Sequence, residues 1–185
     1  MVTVVVFGSL RQVFDARARL RPYLDQSEEM TLVVEWFRKT MQALIADYDD
    51  GPHRFAGTAV EISGLTGSPV LGPPGTPTPF RWLIKYDPEA GRTLLEYRED
   101  RGTPLRILSW SGQEGRFSFF AEDGNWHANW PLSASAEAQT TFQLPQLIRL
   151  SGAPSIVLPT IVAAPRASRL PPPPAPPLLG ERRVQ

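Results

Sequence analysis

The chain has 185 residues, with 19 Lys plus Arg against 19 Asp plus Glu, 20 prolines, two histidines and no cysteine. That composition excludes a disulfide scaffold, a thiolate nucleophile and a cysteine-ligated metal site, and His53 and His127 are too few for a histidine-rich metal centre. Balanced charge speaks against a nucleic-acid binder, while 42% apolar and 10% aromatic residues are too many for a wholly disordered chain.

In chain order, the first ten residues, Met1 to Leu10, are apolar and stop at Arg11. A membrane-spanning helix needs roughly 20 apolar residues, and a secretory signal needs a basic start and a small-residue cleavage pattern. The segment therefore reads as the last third of a longer apolar helix, so that the chain itself is expected to be soluble and its parent anchored. Arg11, Arg17, Arg19 and Arg21 then form a basic stretch, followed by an acidic one at Asp25, Glu28, Glu29 and Glu35. The two blocks are readable as a docking strip or as a solvated helix face.

Spacing predicts helix from Phe7 to about Tyr48. Met30, Val33, Val34, Phe37, Met41, Leu44, Ile45 and Tyr48 recur at three and four, the period of one buried face. Pro22 interrupts the pattern and predicts a kink or two helices; Asp25 and Glu28 have the spacing of a capping box. The helical signal ends in Asp47, Asp49 and Asp50, which read as an acidic terminating turn, because calcium wants six to eight oxygens from a closed loop.

After Pro52 the period changes to alternation. Ala59 to Ile62 is a short strand candidate, and the glycines and prolines of GLTGSPVLGPPGTPTP then forbid regular structure. In FRWLIKYD, Phe80, Trp82, Ile84 and Tyr86 alternate with Arg81, Leu83, Lys85 and Asp87, the clearest half-buried strand. RTLLEYRED, PLRILSW, RFSFFAED and WHANWP follow behind Gly-containing turns, which predicts a five-stranded antiparallel meander. QLIRLSG and PSIVLPTIVAA are two further strand candidates. The expected architecture is α+β, with a long N-terminal amphipathic helix (1–50) packed on antiparallel sheets of about seven or eight strands (51–164). The proline-rich stretch 165–185 is an extended tail or a polyproline II ligand.

No catalytic, phosphate-binding or metal-binding motif is present, and no cofactor is implied. His127 is a candidate general base in a hydrolase, or an exposed strand histidine; His53 is a turn residue. Trp126 and Trp130 lie four apart, hence on one face of a strand, with Ala128 between them. Such a pair serves as a sugar-stacking platform or as the core face of a covered sheet, and burial is the commoner use.

The segments FGSLRQVFDARARL, EEMTLVVEWFRKTMQALI, TLLEYRED, LRILSW, WHANWP and LPQLIRLSG together resemble the minor pseudopilin J of the bacterial type II secretion system, over about residues 4 to 163. The resemblance implies a pilin-like fold and a non-enzymatic role at the tip of a periplasmic pseudopilus, assembled with minor pseudopilins I, K and H to assist export of folded proteins. It implies a parent protein anchored at the periplasmic face of the inner membrane, whose leader and most of whose anchor precede this chain. It makes Phe7, Leu10, Phe14, Arg17, Met30 and Val34 candidates for the partner interface. The alternatives are a minor pilin of a type IV pilus and a carbohydrate-binding β-domain using Trp126 and Trp130.

Overall fold

The computed structural model describes residues 29–48, 51–132, 143–152 and 160–166. Among them are one helix, α1 (29–42), and ten strands. None of the described helices is long and apolar enough to cross a membrane. The expectation of a long N-terminal helix packed on a sheet is thereby corrected: the helix is short, and antiparallel strands make up most of the described fold.

The stripe was legible; its length was not. Met30, Val33, Phe37 and Met41 are buried at helical spacing, while Glu35 and Lys39 form an i,i+4 ion pair at 2.6 Å on the exposed side. Beyond Gln42 the stripe continues in sequence but the backbone leaves the helix. Leu44–Ile45 become strand β1, paired with Thr66 and Leu65, and Tyr48 is exposed. The physical reason lies in the last carbonyls of the helix, which need partners from outside it. The Thr66 hydroxyl donates to Thr40 O at 3.0 Å, the Gly67 N–H to Ala43 O at 2.8 Å and the Arg166 N–H to Gln42 O at 3.1 Å. Three tertiary donors take the acceptors that a further turn would have used. Arg166, expected in a free tail, is thus tied to the helix end.

The first sheet has the order β1-β3-β4-β5-β6, with β2 (Ala56–Gly57) also paired to β3 (Glu61–Thr66). Strands β4 (Thr78–Asp87), β5 (Arg92–Glu99) and β6 (Leu105–Ser111) form the expected hairpins. Phe80, Trp82 and Ile84 are buried, as are Thr93, Leu95 and Tyr97 on the same face of β5, so the alternation in FRWLIKYD holds to within one residue, Tyr86 being only half-buried. A bulge in β6 leaves Ile107 without a direct partner between Arg106 and Leu108.

The meander stops at β6. Strand β7 (Arg116–Phe120) does not pair with β6 but starts a second sheet, of order β10-β9-β7-β8, with β8 (Trp126–His127), β9 (Leu147–Ser151) and β10 (Ile161–Ala163). The turn expected to make a hairpin makes a crossing instead. Its Gly115, at φ 124°, stands so close to the Trp110 ring that an added Cβ would lie 2.7 Å from it, and the Trp110 indole N–H donates to Glu114 O. The loop therefore closes over Trp110 rather than returning beside β6.

The two sheets are joined at β2. Gly57 and Trp130 exchange two backbone hydrogen bonds of 2.8 Å, and the Phe117 N–H donates to Ala59 O at 2.8 Å. Gly57 is required here by space, since an added Cβ would sit 2.1 Å from Phe119 Cζ. One buried cluster draws on the helix and on both sheets. Phe37 is its centre: its ring meets Trp82 of the first sheet edge-on at 5.6 Å and stacks parallel to Phe117 of the second at 6.2 Å.

Candidate functional site

Two of the segments singled out in the sequence, WHANWP and LPQLIRLSG, meet in the second sheet. Strand β7 separates them, with β8 on one side and β9 on the other. On the core side, Phe117, Phe119, Ile148, Leu150 and Ile161 are fully buried. On the other side, cross-strand pairing places Phe120 between Trp126 and Leu147, and Arg149 between Ser118 and Val162.

This outer face is unusual in its chemistry. A solvated sheet face normally alternates toward charged and polar residues, yet Phe120, Trp126 and Leu147 are half-buried apolar side chains here, and Val162 is exposed. Phe120 and Trp126 contact at 5.3 Å between ring centroids. The Arg149 guanidinium lies over the Trp126 ring at 4.1 Å and its Nε donates to the Ser118 hydroxyl at 2.9 Å. Ser118 is buried despite facing outward, because the Arg149 side chain covers it. The arrangement holds a flat aromatic and a planar cation in one fixed pose, the pairing that dominates protein–protein contact patches.

The tryptophan pair does not form the surface that its spacing predicted. Strand β8 ends at His127, and Trp130 turns inward to bridge Gly57. Trp130 is 8% exposed and its indole N–H donates to Gln143 O at 3.0 Å, while Trp126 stays on the outer face beneath Arg149. The two rings serve different sides of the fold, and no common stacking platform results.

His127 faces Asp123 across the β7–β8 turn, with Nε2 at 2.9 and 3.2 Å from the two carboxylate oxygens. Asp123 also accepts the Asn125 backbone N–H at 3.0 Å. That hydrogen bond is the largest cause holding the Asp123 carboxyl below its usual range, and His127 adds to it. All these contacts lie within one hairpin turn, so the histidine and the carboxylate clamp that turn. His53 donates its backbone N–H to Asp47 at 2.9 Å, which makes Asp47 a loop anchor; Asp49 and Asp50 lie outside the described residues. Among the described residues no group of three or more His, Asp or Glu is placed to hold a metal ion.

Of the expected partner-interface residues, Phe7, Leu10, Phe14 and Arg17 lie outside the described residues. Met30 is buried in the core and Val34 packs against it, so both belong to the internal face of α1. Sequence reading missed Phe120, Arg149 and Val162. The strand period of RFSFF and LIRLS marked their side of the sheet, but which strands would be neighbours was not written in either segment.

No protein-family model matches the chain, and no curated protein matches it with significant similarity.

Proposed function

We propose that this chain is the folded periplasmic part of a J-type minor pseudopilin, a structural component of the type II secretion pseudopilus tip. It acts by binding other minor pseudopilins, I and K first and H with them, to prime pseudopilus assembly and assist export of folded proteins. The observation that carries the reading is the union of its two most specific segments. WHANWP and LPQLIRLSG, separate in sequence, form one sheet whose outer face fixes Trp126, Phe120 and Arg149 in a half-buried aromatic and cationic patch. A protein that works by assembly needs such a face; chemistry is not asked of it. The reading implies a parent protein held at the inner membrane with this part in the periplasm.

The test is co-purification with the ectodomains of minor pseudopilins I and K. A stoichiometric complex of the native chain, weakened about tenfold or more by Trp126→Ala with unchanged melting temperature, is the expected result. No complex with either ectodomain overturns it. A complex formed instead with pilins of a type IV pilus would move the protein to that machine.

A further inference from the structure

The outer face of the first sheet carries an arrangement that folding alone disfavours. Arg81 on β4 and Arg98 on β5 are direct cross-strand partners, and like charges opposite one another weaken an antiparallel pair. Glu61 on β3 offsets one of them, meeting Arg81 Nε at 3.1 Å. Arg98 is half-buried, and among the described residues its side chain has neither an ion pair nor a hydrogen bond. A guanidinium carries five N–H donors in a fixed fork. Here that fork is partly withdrawn from water, set beside a second one, and left unused by the fold.

Both arginines line a cleft of about 220 Å³, which Arg54, His53, Ser63 and Asp100 also line. The base of the cleft is rigid, because β4 is paired on both sides, to β3 and to β5, from Phe80 through Leu83. Asp100 in the wall and Glu61 on Arg81 offset part of the arginine charge, and Arg98 keeps its own. The planar Arg98 fork matches the two oxygens of a carboxylate. Pro52 and Pro79 supply apolar wall next to the guanidiniums, a fit for the methylene stem of an acidic side chain.

We propose that this cleft binds a carboxylate presented by an acidic peptide segment of a partner protein, held between the Arg81 and Arg98 guanidiniums. Two parallel N–H···O bonds from the planar Arg98 fork, with Arg81, whose Nε already serves Glu61, adding a further donor, give the geometry its selectivity, and a lysine does not reproduce it. The cleft lies on the first sheet, away from Trp126, and its chemistry does not depend on the secretion reading.

The experiment is an NMR titration of the full 185-residue chain with acetyl-tetraglutamate amide, against acetyl-tetraglutamine amide and inorganic phosphate. The glutamate peptide is expected to shift amides at 52–54, 63–64, 79–81 and 98–100, with affinity falling as salt rises. Arg98→Gln and Arg81→Gln are each expected to weaken it about tenfold. Arg98→Lys, which keeps the charge and so guards against a folding defect, is expected to melt like the native chain and still bind several-fold more weakly. Equal response to the glutamine peptide, native affinity in both Gln variants, or binding of phosphate without binding of the peptide would each overturn the proposal.

Discussion

The two sheets are built on opposite principles. In the first, β3 pairs with β4, β4 with β5 and β5 with β6, so every long ladder is a hairpin. In the second, the central strand β7 pairs with its neighbour β8 through only two residues and with β9, from across an intervening segment, through five. Their outer faces differ as well: the first presents Arg81, Lys85, Arg98 and Glu61 to solvent, the second Phe120, Trp126 and Val162. The difference teaches that the first sheet can form from local information and the second only after the chain has closed upon itself.

The sharpest way to break that contrast is at a side chain that touches both sheets. Phe37→Ala removes a ring that touches Trp82 and Phe117 together, and is expected to cost about 3–5 kcal/mol. Urea unfolding followed separately by tryptophan emission and far-UV circular dichroism should still show one coincident transition; two transitions would mean that the sheets fold independently. Next comes the joint. Gly57→Val forces a side chain against Phe119, where even a Cβ lies 2.1 Å away, and is expected to cost about 2–3 kcal/mol. Hydrogen exchange should then rise more in β7 to β10 than in β4 and β5, and uniform loss of protection would count against a locally determined first sheet.

A smaller effect is expected at Tyr97, inside the first sheet. Its ring is fully buried; its hydroxyl donates to Glu99 Oε1 at 3.0 Å and accepts the Val70 N–H at 3.3 Å, while Glu99 accepts the Leu71 N–H at 2.7 Å. These bonds hold the Gly- and Pro-rich loop after β3 against β5. Tyr97→Phe is expected to cost about 1 kcal/mol. Burial also pushes the phenol well above its ordinary value, with the Glu99 charge adding to it. The native state therefore keeps its proton while the unfolded chain loses it. The contribution is fully present below about pH 10, the unfolded value, and falls as pH rises beyond it. Alkaline unfolding should thus be less steep in Tyr97→Phe than in the native chain.

The smallest effect belongs to the β7–β8 turn. Asp123 has a lowered native pKa through the Asn125 N–H and, to a lesser degree, His127. Its contribution is present above the ordinary carboxylate value and is lost as pH falls through the lowered native one. An NMR titration should find Asp123 among the last carboxylates to protonate, and Asn125→Pro, which removes the donor, should return it toward the ordinary range.

How much of this was legible follows from the reach of each interaction. Alternation in FRWLIKYD was enough to place Phe80, Trp82 and Ile84 inward, because a strand between two long hairpin partners has only one choice of face. The apolar stripe of the helix was readable through Met41, yet its end was set by Thr66, Gly67 and Arg166, residues distant in sequence that take its final carbonyls. Trp126 and Trp130 share a period that implies one face, but two backbone bonds to Gly57 turn Trp130 away after a two-residue strand. Arg149 gave no sign of its place over Trp126, since the pair exists only because β7 lies between β8 and β9.

What the sequence determined by itself was local. It set the absence of thiol chemistry, the buried stripe from Met30 to Met41, the hairpins from β4 to β6, and the loops where glycine and proline cluster. Tertiary structure alone decided that the chain would leave its meander after Trp110, that Gly57 would join two sheets, and that Arg81 and Arg98 would stand side by side. Period and propensity act over a few residues, whereas strand partners and the ends of helices are chosen by whichever distant donor arrives with the better hydrogen bond.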